Sequence, residues 1–114
     1  MTLDSSRLFV VASLWVHAEP VAQFDAYELK ALSIARRHLG RLEQAIRVAT
    51  NDPGAPFEIH VLSFPTESHF AAFRADAEMT ALSGERDSAI YRTEVTLGRN
   101  VPAYAARHLA ESQP

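Results

Sequence analysis

Between Pro56 and Pro65 the chain reads FEIHVLSF, and this stretch constrains everything around it. Proline has no N–H to give to a sheet ladder, so the two prolines bracket a single strand within Ala55–Phe64. Side chains alternate across a strand. Phe57, Ile59 and Val61 therefore point one way, and Glu58, His60 and Leu62 the other. The first set is purely apolar and demands cover. The second puts a carboxylate beside an imidazole on one face.

The flanking segments fix what the strand pairs with. Asn51-Asp52-Pro53-Gly54 is a turn tetrad. Arg41–Thr50 before it has strand character, so the two strands form a hairpin paired beyond Pro56. Further upstream, Arg7–His17 (RLFVVASLWVH) is too short and too rich in Val, Phe and Trp for a good helix. It reads as a strand that is apolar on both faces. Between these strands a helix opens at Pro20 and runs to about Leu39. Its stripe is Phe24, Tyr27, Ala31, Ile34 and His38, and Gly40 is expected to cap it. After Pro65, Thr66 is a suitable N-cap for a second helix bearing Phe70, Phe73 and Ala77. Thr80–Ile90, interrupted by Gly84, reads as a short helix or loop. Tyr91–Gly98 is a fourth strand, and Ala103–Ala110 a short helical tail.

The order β-α-β-β-α-β defines a ferredoxin-like α+β fold. It predicts a four-stranded antiparallel sheet ordered four-one-three-two, with the helices on one face. The 114 residues suffice for one domain. We expect a core over about residues 7–98 and a tail over 99–114.

Alternation also sorts the faces. The expected helix-facing set is Leu8/Val10/Ala12/Leu14/Val16, Leu42/Gln44/Ile46/Val48, Phe57/Ile59/Val61 and Tyr91/Thr93/Val95/Leu97. The expected free face carries Phe9/Val11/Ser13/Trp15/His17, Arg41/Glu43/Ala45/Arg47, Glu58/His60/Leu62 and Arg92/Glu94/Thr96. An apolar patch of that kind marks an interface. The simplest cover is a second copy, giving a homodimer through the sheet faces with a barrel-like interior.

Composition narrows the partners. A net charge of -3 disfavours nucleic acid and anionic membranes. RNA-binding modules share this topology but need aromatic rings on the central strands and a basic surface, where this chain has Glu58 and His60. No apolar run is long enough to span a bilayer, and the first residues lack a secretory pattern. The absence of cysteine removes disulfides, thiolate nucleophiles and Cys-ligated zinc, and fits a cytoplasmic protein.

Three motifs carry a resemblance: Phe24-x-x-Tyr27 in the first helix, His38-x-Gly40 at its end, and Phe64-Pro65-Thr66 leading into a helix with Phe73. Over about residues 8–98 the chain resembles the dimeric α/β-barrel superfamily of ferredoxin-like proteins. Within it, the chain is most similar to a small bacterial family whose domain has no known function. There the strand before Phe-Pro commonly ends in Glu; this chain has Ser63. The resemblance implies a homodimer with a cleft between sheet and helices. The superfamily includes cofactor-free monooxygenases, cyclases, lactone isomerases, haem-degrading enzymes and proteins without known activity. The Asn/Trp/His set of the haem degraders is not recognisable here.

The ionisable groups of the expected free face suggest chemistry. His60 is the candidate base, Glu58 its orienting partner and Arg92 the holder of an enolate, phenolate or carboxylate. Trp15 and Tyr27 are candidate walls for a small-molecule ligand, with Ser13, His17 and Glu94 nearby. One expectation is a cofactor-independent cyclase, isomerase or monooxygenase acting on a small aromatic or carbonyl compound. The alternative is a ligand-binding or structural homodimer whose polar groups form an interface network. A metal set drawn from His17, His60 and Glu58 or Glu94 lacks supporting H-x-H or HExxH spacing, so no metal or other cofactor is expected.

Overall fold

The computed structural model describes residues 6–17 and 21–111. Pro20, the expected helix opener, lies outside the described residues. The elements are β1 (Leu8–Val16), α1 (Val21–Arg37), β2 (Arg41–Arg47), β3 (Glu58–Phe64), α2 (Glu67–Ala75), α3 (Ala77–Ala81), α4 (Ser83–Ala89), β4 (Ile90–Gly98) and α5 (Pro102–Glu111). The sheet is antiparallel in the order β2-β3-β1-β4, the topology expected from the sequence. The 80–90 segment resolves into two short helices. Asp76 separates α2 from α3: its extended backbone ends one helix while its side chain accepts from the Glu78 N–H to start the next.

The register turns β3 and most of β2 the other way round from the expectation. Leu8, Val10, Ala12 and Leu14 pair with Phe64, Leu62, His60 and Glu58. Directly paired residues share a face, so Glu58 and His60 stand with the apolar side of β1, under the helices. Arg47 and Ala45 join them opposite Glu58 and His60, and a bulge at Glu43 restores Leu42 to that same face. Ile59 and Val61 lie on the open face instead. The expected sorting holds for β1 and for most of β4, where Thr93, Val95 and Leu97 face the helices and Arg92, Glu94 and Thr96 do not.

The reason lies in the whole of β3. Its helix-facing set is Glu58, His60, Leu62 and Phe64; the open set is Ile59, Val61 and Ser63. Phe64 is fully buried and packs on Phe70 and Phe73, with ring centroids 5.3 and 5.5 Å away. Burying one such side chain contributes about 1.5–3 kcal/mol. The two ionisable groups on that face are carried inside because their charges find partners there.

The helix ends follow local chemistry. Thr66 caps α2 by accepting from the His69 N–H, as expected. The end of α1 differs. Leu39, with φ 61°, occupies the left-handed position, and Gly40 N–H reaches Ala35 O while Leu39 N–H reaches Arg36 O. Gly40 is required for space: a Cβ there would lie 2.6 Å from Phe64 Cε1 and 2.9 Å from Ala35 O. Two buried clusters flank the middle of the sheet. Leu8, Val10, Ala35, Leu62, Phe64 and Phe70 form one, and Leu14, Phe24, Tyr27, Ala31, Ala89 and Ile90 the other. Among the described residues, no helix is long and apolar enough to cross a membrane.

Candidate functional site

A cavity of about 420 Å³ opens between the two clusters, bounded by the sheet below and by α1, α2, α3 and α4 above. Val10, Ala12, Leu62, Phe73, Met79 and Val95 supply apolar wall. The polar groups at its edge are Tyr27, Glu28, His60, Arg74, Arg86 and Thr93.

His60 is buried on β3, and each ring nitrogen faces a carboxylate. Nε2 lies 2.5 Å from Glu58 Oε2, and Nδ1 lies 3.3 Å from Glu28 Oε2. Glu58 is held in turn: its Oε1 accepts from Arg47 Nε at 2.9 Å, and Arg47 Nη2 also contacts Asp25 Oδ1 at 3.1 Å. The Arg47 guanidinium lies over the Phe57 ring, 4.7 Å from its centroid. A row of alternating charges thus runs Glu28, His60, Glu58, Arg47, Asp25, from the cavity to the surface. Burial by itself would push the His60 pKa down; Glu28 and Glu58 outweigh it and hold it above its ordinary value. Nε2 is hydrogen-bonded to Glu58 Oε2, and Nδ1 forms an ion pair with Glu28 when the ring is protonated. With each ring nitrogen turned to a carboxylate, His60 is placed to act on a ligand through Glu28 and Glu58.

Tyr27 lies against the cavity from α1, nine-tenths buried or more. Burial and the neighbouring Glu28 charge push its hydroxyl pKa up, so it remains a proton donor. Arg86 on α4 donates from Nη2 to Thr93 Oγ1 at 2.6 Å and stands 3.7 Å from Asp87.

The other expected site residues lie elsewhere. Arg92, paired with Trp15 in the register, is on the open face, its guanidinium 4.4 Å from the Trp15 ring centroid. Arg92 also contacts Glu94, and Glu94 pairs with Ser13 on that same face. Trp15 Nε1 donates to Gly54 O at 3.2 Å. His17 is exposed and leans on Tyr91 at 5.5 Å. His60 and Arg92 therefore do not converge on Ser13, because the sheet lies between them. Among the described residues, no three His, Cys, Asp or Glu side chains converge as a metal set.

Sequence reasoning missed Glu28. The signal was present: Glu28 falls four residues after Phe24 and three before Ala31, which places a carboxylate on the buried stripe of α1. Two further histidines have polar side-chain partners. His38 Nε2 meets Asp76 Oδ2 at 2.7 Å, and His69 Nδ1 meets Thr66 Oγ1 at 2.7 Å.

A fold with helices on one side of such a sheet, and a cleft between the layers, defines a ferredoxin-like α+β protein. Comparison with solved structures agrees. A cofactor-independent oxygenase, SnoaB from Streptomyces nogalater, superposes with TM-score 0.65 at 14% identity, covering 84% of this chain and 94% of that one. A NIPSNAP family protein of unknown function from Agrobacterium tumefaciens gives TM-score 0.65 at 14% identity, with 86% and 91% covered. A protein of unknown function from Rhodopseudomonas palustris gives 0.69 at 10% identity, with 88% and 86% covered. At these identities the likeness establishes the fold. No family model and no curated protein matches the sequence.

Proposed function

We propose that this chain is a cofactor-independent enzyme of the cyclase, isomerase or monooxygenase type. It acts on a small aromatic or carbonyl compound held in the cleft between sheet and helices. One observation carries this reading: a carboxylate–imidazole–carboxylate set opens into an apolar cavity large enough for a small ligand. Perturbed acid–base groups in a cleft are what proton abstraction beside a carbonyl needs. The fold shared with a cofactor-independent oxygenase supports the same class. In this reading His60 and Glu58 belong to the proton-transferring set, and Tyr27 forms part of the ligand wall. Residues 7–98 work as one unit.

The open face serves assembly. Phe9, Val11, Ile59 and Val61 are only half-buried there, and Ile46 is 41% exposed. A second copy, sheet against sheet, covers them, with Arg92, Trp15, Ser13 and Glu94 in the interface.

A second reading is a binding or structural dimer without turnover. It is favoured by the pairing of the buried groups: among the described residues, no fully buried side-chain polar atom lacks a partner. Thermal-shift and calorimetric titration with 2-naphthol and 1,3-indandione tests the cleft. Saturable binding that is weakened by Leu62→Trp, which fills the cavity, supports the enzyme reading. No binding of either probe overturns it.

A further inference from the structure

The polar groups of the cavity are not equivalent in what they have left to offer a ligand. His60 has both nitrogens committed to carboxylates. Glu58 has both oxygens committed, Oε2 to His60 and Oε1 to Arg47. Glu28 meets His60 through Oε2 at the longer distance of 3.3 Å, and among the described residues its Oε1 makes no hydrogen bond. Its side chain is 13% exposed and lines the cavity. Among the described residues that line the cavity, Glu28 is the one carboxylate, and so the strongest acceptor there. Arg86 also lines the cavity, and its guanidinium has N–H groups beyond the one given to Thr93. Tyr27 adds a hydroxyl donor.

We propose that Glu28 takes a proton from the bound ligand, that Arg86 holds the resulting anion, and that His60 is the positioning residue that holds Glu28 in place through its contact with Oε2. The ligand class is then a weak O–H or C–H acid, a phenol or a 1,3-dicarbonyl. The proposal rests on the functional reading above. In the step, the ligand O–H bond, or the C–H bond between two carbonyls, breaks. The proton goes to Glu28 Oε1. The electron pair stays on the ligand as phenolate or enolate beside Arg86, and no oxidant or reductant is consumed. Glu28 becomes a neutral acid whose Oε2 still faces His60 Nδ1. The pH response belongs to the whole surround: Glu58 of β3, Arg47 of β2, Asp25 and Tyr27 of α1, Arg74 of α2, and Arg86 and Asp87 of α4.

The test uses 4-nitrophenol, colourless as the phenol and yellow as the phenolate, with the full chain buffered below the probe's own pKa. Yellow phenolate should form on binding. Glu28→Gln should still bind the probe by thermal shift and yield at least about tenfold less phenolate. His60→Gln should move the pH at which phenolate forms, whereas a purely structural role would weaken binding equally at every pH. Infrared difference spectra of the unmodified chain should gain a protonated-carboxyl band as phenolate appears, which keeps the test valid if Glu28→Gln fails to fold. Undiminished phenolate in Glu28→Gln, no new carboxyl band, or a probe bound only as the neutral phenol would each overturn the assignment and leave the cleft reading standing. No probe binding by the unmodified chain overturns both.

Discussion

Replacing His60 with Gln isolates the electrostatics of the buried row. Removing one partner of a buried ion pair costs about 3–5 kcal/mol when the other charge is stranded. Here the loss is smaller. Glu58 retains Arg47, with contacts of 2.9 and 2.7 Å, and Glu28 keeps 13% of its side chain exposed. The Gln amide also supplies an N–H to one of the two carboxylates. We expect a loss of about 1–2 kcal/mol at neutral pH, lowering Tm by roughly 3–10 °C in a chain of this size. The pH dependence is the sharper signature. The folded-state pKa of His60 lies above the ordinary 6.5. Its stabilisation is therefore complete below that value and is lost as pH rises through the higher folded value. Urea unfolding of the native chain and His60→Gln, from about pH 6 to 9, should show a gap that is widest at the acid end and narrows upward. A gap that stays constant, or widens with pH, would refute the view that His60 sits in the fold as an imidazolium.

Three further outcomes follow from other parts of the molecule. Gly40→Ala should cost about 1–3 kcal/mol in urea unfolding, because its Cβ would meet a fully buried Phe64 at 2.6 Å; if Phe64→Leu does not recover part of that loss in a double-mutant cycle, the clash is not the cause. Val61→Lys places a charge on the open face and should leave a folded monomer in sedimentation, while an unchanged sedimentation coefficient would remove that face from the assembly. His38, ahead of the Glu78 N–H, holds the Asp76 carboxyl below its ordinary 3.8, so Asp76 contributes stability above that pH which is lost as pH falls through the lower folded value. Asp76→Asn should accordingly be less stable than the native chain near neutrality and equal to it in acid; a deficit persisting at the lowest pH would point to a cause other than charge.

The order of elements was legible because each boundary carries its own chemistry. Pro56, Pro65 and the Asn51–Gly54 tetrad delimit the hairpin strand, and Thr66 announces α2 with a side chain that does cap it. From that order alone the sheet order follows, and it is the one observed. The face of β3 was less legible for a physical reason. Alternation divides a strand into two sets but does not state which set meets the neighbouring strand's core side; register does, and register comes from packing beyond the strand. Phe57, Ile59 and Val61 outweigh Glu58, His60 and Leu62 as apolar surface only while Phe64 is left out of the second set. Once Leu62 and Phe64 are counted, the charged set is also the one with the larger apolar residue at its end, and Phe64 is the ring that α2 packs upon.

That inversion changes what each face can do. With Glu58 and His60 under the helices, the open face loses its buried-charge problem and gains Ile59 and Val61, which makes it a better surface for association. The cleft gains a charged row that a core would not tolerate unless each member were answered. Each answer comes from a different element: Glu28 and Asp25 from α1, Arg47 from β2, His60 and Glu58 from β3. Such a row is costly to assemble relative to apolar packing of the same volume, which is commonly as stable or more so. A stabilising role alone therefore does not account for it. What distinguishes this row from a purely structural network is its inner end, where Glu28 lines the cavity and its Oε1 makes no hydrogen bond among the described residues, while His60 and Glu58 are paired at every side-chain polar atom. The glutamate on the apolar stripe of α1, rather than the histidine that first draws notice, is the group through which this fold can act on a ligand.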